Sequence, residues 1–183
     1  MIKKIKRMVV FAIALLPIAL SAQTQTENYV VNKTYKVKSA TQLNTQNTNS
    51  VATSVQYFDG LGRIKQTVLV KGGNNSYDIV KHHQYDGYGR KLKEYLPYAS
   101  TFSDGRINPN AGSATQSYYQ TNYAGDFSGI SNTADINSFS EKVLENSPLN
   151  RVFEQTAPGK AWKKGSSLIT GKEYFNGNSI KLD

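Results

Sequence analysis

Gln56–Val68 reads QYFDGLGRIKQTV and Gln84–Leu96 reads QYDGYGRKLKEYL, with Asp86 standing 27 residues after Asp59. Val51, Thr53, Val55 and Tyr57 alternate into Asp59-Gly60, and Ile64, Gln66, Val68 and Val70 alternate out of it. Alternation with a period of two marks a strand with one buried face. Asp-Gly between two such runs predicts a tight hairpin, because glycine accepts positive φ and aspartate caps its own turn. On this reading Gly60 and Gly87 sit in the turns, Gly62 and Gly89 mark a bulge or a close approach where a side chain would obstruct, and Arg63 and Arg90 open the outgoing strands. The repeated motif is thus Tyr57, Phe58, Asp59, Gly60, Gly62 and Arg63, matched by Tyr85, Asp86, Gly87, Gly89 and Arg90.

A segment written twice at fixed spacing predicts hairpins that stack on their own copies, since each alone cannot bury its apolar face. A degenerate third copy lies in VLENSPLNRVFEQTAPG, Val143–Gly159. There Asn150-Arg151 stands in the place of Gly-Arg, while Pro148 and an extra residue break the turn chemistry.

Working outward, the chain divides into five stretches. Residues 1–22 have the layout of an export signal: Lys3, Lys4, Lys6 and Arg7, then the apolar run Met8–Leu20, then Ser21-Ala22. The apolar run is too short to span a bilayer, so no membrane span is expected after cleavage, and the product is expected to be secreted or held at the cell surface. Residues 23–27 read as a flexible leader and 28–98 as the region of the two hairpin copies, opened by a strand in NYVVNKTYKV. Residues 99–138 form a long polar insertion rich in Tyr, Ser and Asn, in which SATQSYYQTNYA, Ser113–Ala124, predicts one short helix capped by Ser113. Residues 139–183 hold the third copy and a truncated C-terminal hairpin around Asn176-Gly177. The fold expected is mostly β, built from antiparallel hairpins.

Composition narrows the chemistry. The export signal carries four of the 22 basic residues and none of the 13 acidic ones, so the net charge falls from +9 to +5 when it is removed. That excess is spread thinly, which argues for a solvated surface and against nucleic acid as a partner. Cysteine is absent, so stability has to come from packing or partners in place of disulfides. Asp59 and Asp86 read as turn residues and not as a catalytic carboxylate pair. His82 and His83, adjacent on a strand, face opposite sides and do not chelate one metal. No catalytic residue, metal ligand or cofactor site is read from the sequence, and the chain is not expected to be an enzyme. Tyr118, Tyr119 and Tyr123 offer the alternative of a surface polysaccharide stacked on exposed rings, against the more general use of aromatics in cross-strand packing. Arg63, Arg90 and Arg151 recur at one motif position, where pairing with carboxylates or carbonyls of the neighbouring copy is expected.

YFDGLGR and QYDGYGR resemble the YD repeats of Rhs proteins, large bacterial cell-surface and toxin-delivery chains. More narrowly, SVQYFDGLGRIKQTV, EYLPYAS and VLENSPLNRVFEQTAPGKAW resemble the N-terminal domain, of unassigned role, that opens secreted Rhs-like proteins of flavobacterial type. The similarity runs from about Asn28 to the end. It implies strand-turn-strand repeats that wind into a β-shell, with further YD-repeat segments or sister chains as partners. Such proteins run far longer than 183 residues. The resemblance therefore implies an opening segment of a larger protein, or a truncated gene, without an effector of its own.

Overall fold

The computed structural model describes residues 27–165. The expected export signal and the hairpin expected around Asn176-Gly177 lie outside the described residues. Within them the chain is mostly β: an eight-stranded antiparallel sheet crossed on one face by a single α-helix.

The strands are β1 (Asn28–Tyr35), β2 (Val51–Phe58), β3 (Ile64–Leu69), β4 (Ile79–Tyr85), β5 (Lys91–Tyr95), β6 (Tyr98–Ala99), β7 (Phe139–Leu144) and β8 (Val152–Thr156). Their order is β1-β2-β3-β4-β5-β7-β8, with β6 paired to β4. β5 and β6 run one after the other along β4, His83 facing Glu94 and Val80 facing Tyr98. They are separated at Leu96-Pro97, where proline has no N–H to give the ladder and the Leu96 N–H bonds instead to Ser138 O at 2.9 Å. That break frees β5 to take β7 as its next neighbour, Tyr95 facing Phe139.

Register puts Val31, Val55, Val68 and Val80 in one row and Tyr29, Tyr57, Gln66 and His82 in the next, all on one face. The helix α1 (Ala111–Asn122) covers that face. Val55, Tyr57, Val68, Val80, Tyr98 and Ala111 form the buried core, with Ile107, Ala114, Tyr118 and Tyr119 packed on it. Small residues on the helix allow the approach: Ala111 and Thr115 are fully buried, and a Cβ on Gly112 would stand 3.4 Å from Tyr95 Oη. β1 lies beyond the helix and is exposed along its whole length.

Two expectations for 99–138 change. The helix begins two residues earlier than Ser113, with Asn110 in the capping position and making no side-chain cap. Ser113 lies in the first turn, its hydroxyl donating to Asn110 O at 3.0 Å. Nor is the stretch an irregular excursion: Phe127, Ile136, Asn137 and Ser138 are buried, so it is the second layer of the fold. Polar side chains of the sheet fasten it. Tyr57 Oη donates to Gly105 O at 2.7 Å, and Gln66 exchanges two hydrogen bonds with the Asn108 backbone, at 3.0 and 2.8 Å. A segment read as polar is ordered because its backbone groups find partners on the sheet.

Candidate functional site

The three turn-bearing hairpins, β2-β3, β4-β5 and β7-β8, place their turns along one rim of the sheet. Turn one is a five-residue loop closed by the Asp59 N–H donating to Arg63 O at 2.9 Å. One carboxylate oxygen of Asp59 accepts from the backbone N–H groups of Leu61 and Arg63, both at 2.9 Å. The other accepts from Arg63 Nε at 2.6 Å. Turn two repeats every contact: Asp86 N to Arg90 O at 3.0 Å, Tyr88 and Arg90 N–H groups to one Asp86 oxygen at 3.0 and 2.8 Å, and Arg90 Nε to the other at 2.7 Å.

The hairpin expected at Asp59-Gly60 is present, but the glycine expected to take positive φ there does not. The left-handed residues are Gly62 (φ +75°) and Gly89 (φ +81°), not Gly60 or Gly87. A Cβ at Gly60, Gly62 or Gly87 would meet nothing within 4 Å, so Gly62 is needed for its backbone angle and not for space. Gly89 is needed for the same backbone angle, and a Cβ there would also push aside Arg63 Nη1, the end of a flexible side chain. The bulge lies elsewhere: the register shifts between Tyr57 and Phe58 and again between Gln84 and Tyr85.

Turn three follows the same plan with different residues. Glu145 takes the acid's place, its N–H donating to Arg151 O at 2.9 Å and its carboxylate accepting from Arg151 Nε at 2.9 Å. Asn150, at φ +54°, takes the left-handed place of Gly62 and Gly89, and the register shifts between Val143 and Leu144. Glu145 escaped the sequence reading because two extra residues separate it from Arg151, a gap its additional methylene helps to bridge. Ser147 Oγ donates to its other oxygen at 2.6 Å. The signal available was an acid ahead of Asn-Arg, six residues before the arginine.

All three carboxyls are held below the ordinary carboxylate range. For Asp59 the main cause is the Arg63 backbone N–H. For Asp86, burial works upward and is outweighed by the Arg90 backbone N–H and guanidinium. For Glu145, the Ser147 hydroxyl leads; burial comes next and pushes upward, and is outweighed once the Arg151 backbone N–H and guanidinium are added.

The turns also touch one another. Arg63 lies over the Tyr85 ring, 4.6 Å from its centroid, while Tyr85 Oη donates to Ile64 O at 2.9 Å. Arg90 Nη1 reaches the third turn, donating to Glu145 O at 3.1 Å and to Asn150 Oδ1 at 2.9 Å. Arg63 and Arg90 thus each tie their own acid to the next hairpin. Leu61, Tyr88 and Leu149, each one residue ahead of the left-handed position, stand out from the rim, 78%, 79% and 71% exposed. Phe58 and Tyr85 precede the two aspartates.

Elsewhere, His82 lies against the Tyr95 ring on the helix-covered face. His83 points to the other face, where burial chiefly, then Lys91, pushes it down to about 4. Tyr119 and Tyr123 stack at 5.1 Å, and Tyr118 packs on Tyr98 and Tyr119. The fully buried Asp78, unremarkable in sequence, accepts from the Lys71 and Gly105 N–H groups at 2.8 and 2.7 Å and pins the second layer to the β3-β4 connection. Among the described residues no three His, Cys, Asp or Glu side chains are grouped to hold a metal, and no helix is long and apolar enough to cross a membrane.

A family model described as a domain of unknown function (DUF6443) matches residues 31–175, most of the chain and all three turns. The chain belongs to the DUF6443 family. No curated protein and no solved structure matches this DUF6443 chain.

Proposed function

We propose that the chain is a secreted structural module, the opening segment of an Rhs/YD-repeat-like surface or shell protein, without catalytic activity of its own. The observation that carries this reading is the arginine relay along the rim. A reaction centre converges its groups on a point, whereas Arg63, Arg90 and Arg151 are strung out one per hairpin, each engaged with its own carboxylate. Charge-assisted bonds of this kind fix geometry. Hairpins that bury one face and clasp their successors are the elements of a repeat array.

The alternative is a polysaccharide stacked on Tyr118, Tyr119 and Tyr123. It has less in its favour, because these rings pack on one another and on Tyr98, and Tyr119 Oη donates to Pro97 O at 2.8 Å.

Hydrogen exchange under increasing urea tests the structural reading. Amides of the three hairpins should open as one cooperative unit, and Gly89→Val should uncouple the first turn from the second. Independent opening of the wild-type hairpins would remove the support for it. A glycan array run alongside separates the alternative: binding lost in Tyr119→Ala and Tyr123→Ala would favour the polysaccharide.

A further inference from the structure

The relay runs in one direction and stops at the third turn. Side-chain exposure is 30% for Arg63 and 20% for Arg90, each with a following turn against it, but 65% for Arg151. Arg151 keeps its own acid, so what it lacks is the neighbour. It opens β8, which pairs with β7 on one side and, among the described residues, with no strand on the other. Val152 and Phe153 beside it are each 48% exposed. An open edge with apolar side chains is a template for strand addition. The opposite edge, β1, carries no turn arginine.

We propose that the β8 edge and Arg151 form a docking site for a hairpin of the same kind on a second polypeptide. Its incoming strand pairs antiparallel with β8 and ends in an aromatic residue ahead of an Asp-Gly turn. Continuity with the contacts between the first two hairpins specifies this occupant. β4 pairs antiparallel with β3 and ends in Tyr85, which seats beneath Arg63. The turn that follows presents Gly89, with no side chain, to the guanidinium. The docked aromatic occupies the place beneath Arg151 that Tyr85 has beneath Arg63. The docked strand covers Val152 and Phe153. The proposal rests on the structural-module reading and adds the edge, its direction and the chemistry of the partner.

The test uses the full chain and a synthetic hairpin with the sequence of residues 78–95. Cysteines added at its ends close it by a disulfide, because an isolated hairpin is marginal in water. The chain has no cysteine to exchange with it. With a fluorescent label on the peptide, saturable anisotropy binding is expected, with hydrogen-exchange protection appearing at 151–156. Arg151→Ala in the protein and Tyr85→Ala in the peptide should each weaken binding about tenfold, with the Arg151→Ala chain still unfolding in one cooperative transition. Absence of binding to the full chain, or protection at β1, would overturn the proposal. So would binding seen only after truncation beyond Gly165, which would make the chain's own C-terminal residues the occupant. Self-association that competes with the peptide and protects 151–156 would identify the second polypeptide as another copy of this chain. Any of the overturning results, with the three hairpins still opening as one unit, removes the partner and leaves the structural reading in place.

Discussion

Turns one and two on one side, and turn three on the other, reach one geometry with different residues. Asp59 and Asp86 hold an arginine four residues away, while Glu145 holds Arg151 six residues away. Gly62 and Gly89 take the left-handed angle at no cost, whereas Asn150 takes it as one of the few residues that tolerate it. The conserved quantity is therefore an acid that accepts both backbone and guanidinium donors, followed by a left-handed residue just ahead of the arginine. The spacing between them is adjustable.

The largest effect expected comes from breaking the turn that combines both demands. Gly89→Val should destabilise by about 3 kcal/mol, joining left-handed strain for a β-branched residue to displacement of Arg63. Chemical denaturation would measure it, and Arg63→Ala should recover part of the loss in Gly89→Val.

Only the second hairpin carries a titrating imidazole. His83 stands where the first hairpin has Gln56. Its value lies near 4 in the folded chain, below the ordinary value of about 6.5. Its contribution is present in full above pH 6.5 and is lost as pH falls toward 4, on the order of 2 kcal/mol after allowance for partial exposure. His83→Gln should flatten the stability profile across that window. In that background the sensitivity that remains in this window belongs to His82, which burial also holds low. Below about pH 4 it belongs to carboxyls held low, Asp59, Asp86 and Glu145 in the turns together with Asp104 and with Glu94 at about 2, as they are protonated.

Gly62→Val sharpens the comparison between the first two turns. It carries the same backbone strain with open space around the Cβ, so about 1 to 2 kcal/mol is expected. Parity with Gly89→Val would show that the collision with Arg63 contributes nothing. The smallest effect is Asn150→Gly. The angle favours glycine by a few tenths of a kcal/mol, but the substitution removes the amide that receives Arg90. A melting temperature within a few degrees of wild type is expected.

Much of this was legible in the residues. Alternation located β2, β3 and β4 closely, and Asp-Gly located the rim, because strand faces and turn residues are chosen by local rules. Gly60 was the wrong glycine for the left-handed position, since the loop length is set by where Asp59 and Arg63 meet and not by the dipeptide. Glu145 was missed because its partnership with Arg151 spans a variable gap. Asp78 was missed because a carboxylate satisfied by two backbone N–H groups from distant segments leaves no local pattern.

The sequence by itself determined that this chain is built of antiparallel hairpins with like turns, because a period of two and a glycine after an acid act over neighbouring residues. The tertiary structure alone decided that 99–138 would be a layer and not a loop, and which groups of the following hairpin Arg63 and Arg90 would reach. Those outcomes depend on which backbone groups meet across the folded sheet, and hydrogen bonds between segments far apart in the chain have no footprint in local composition.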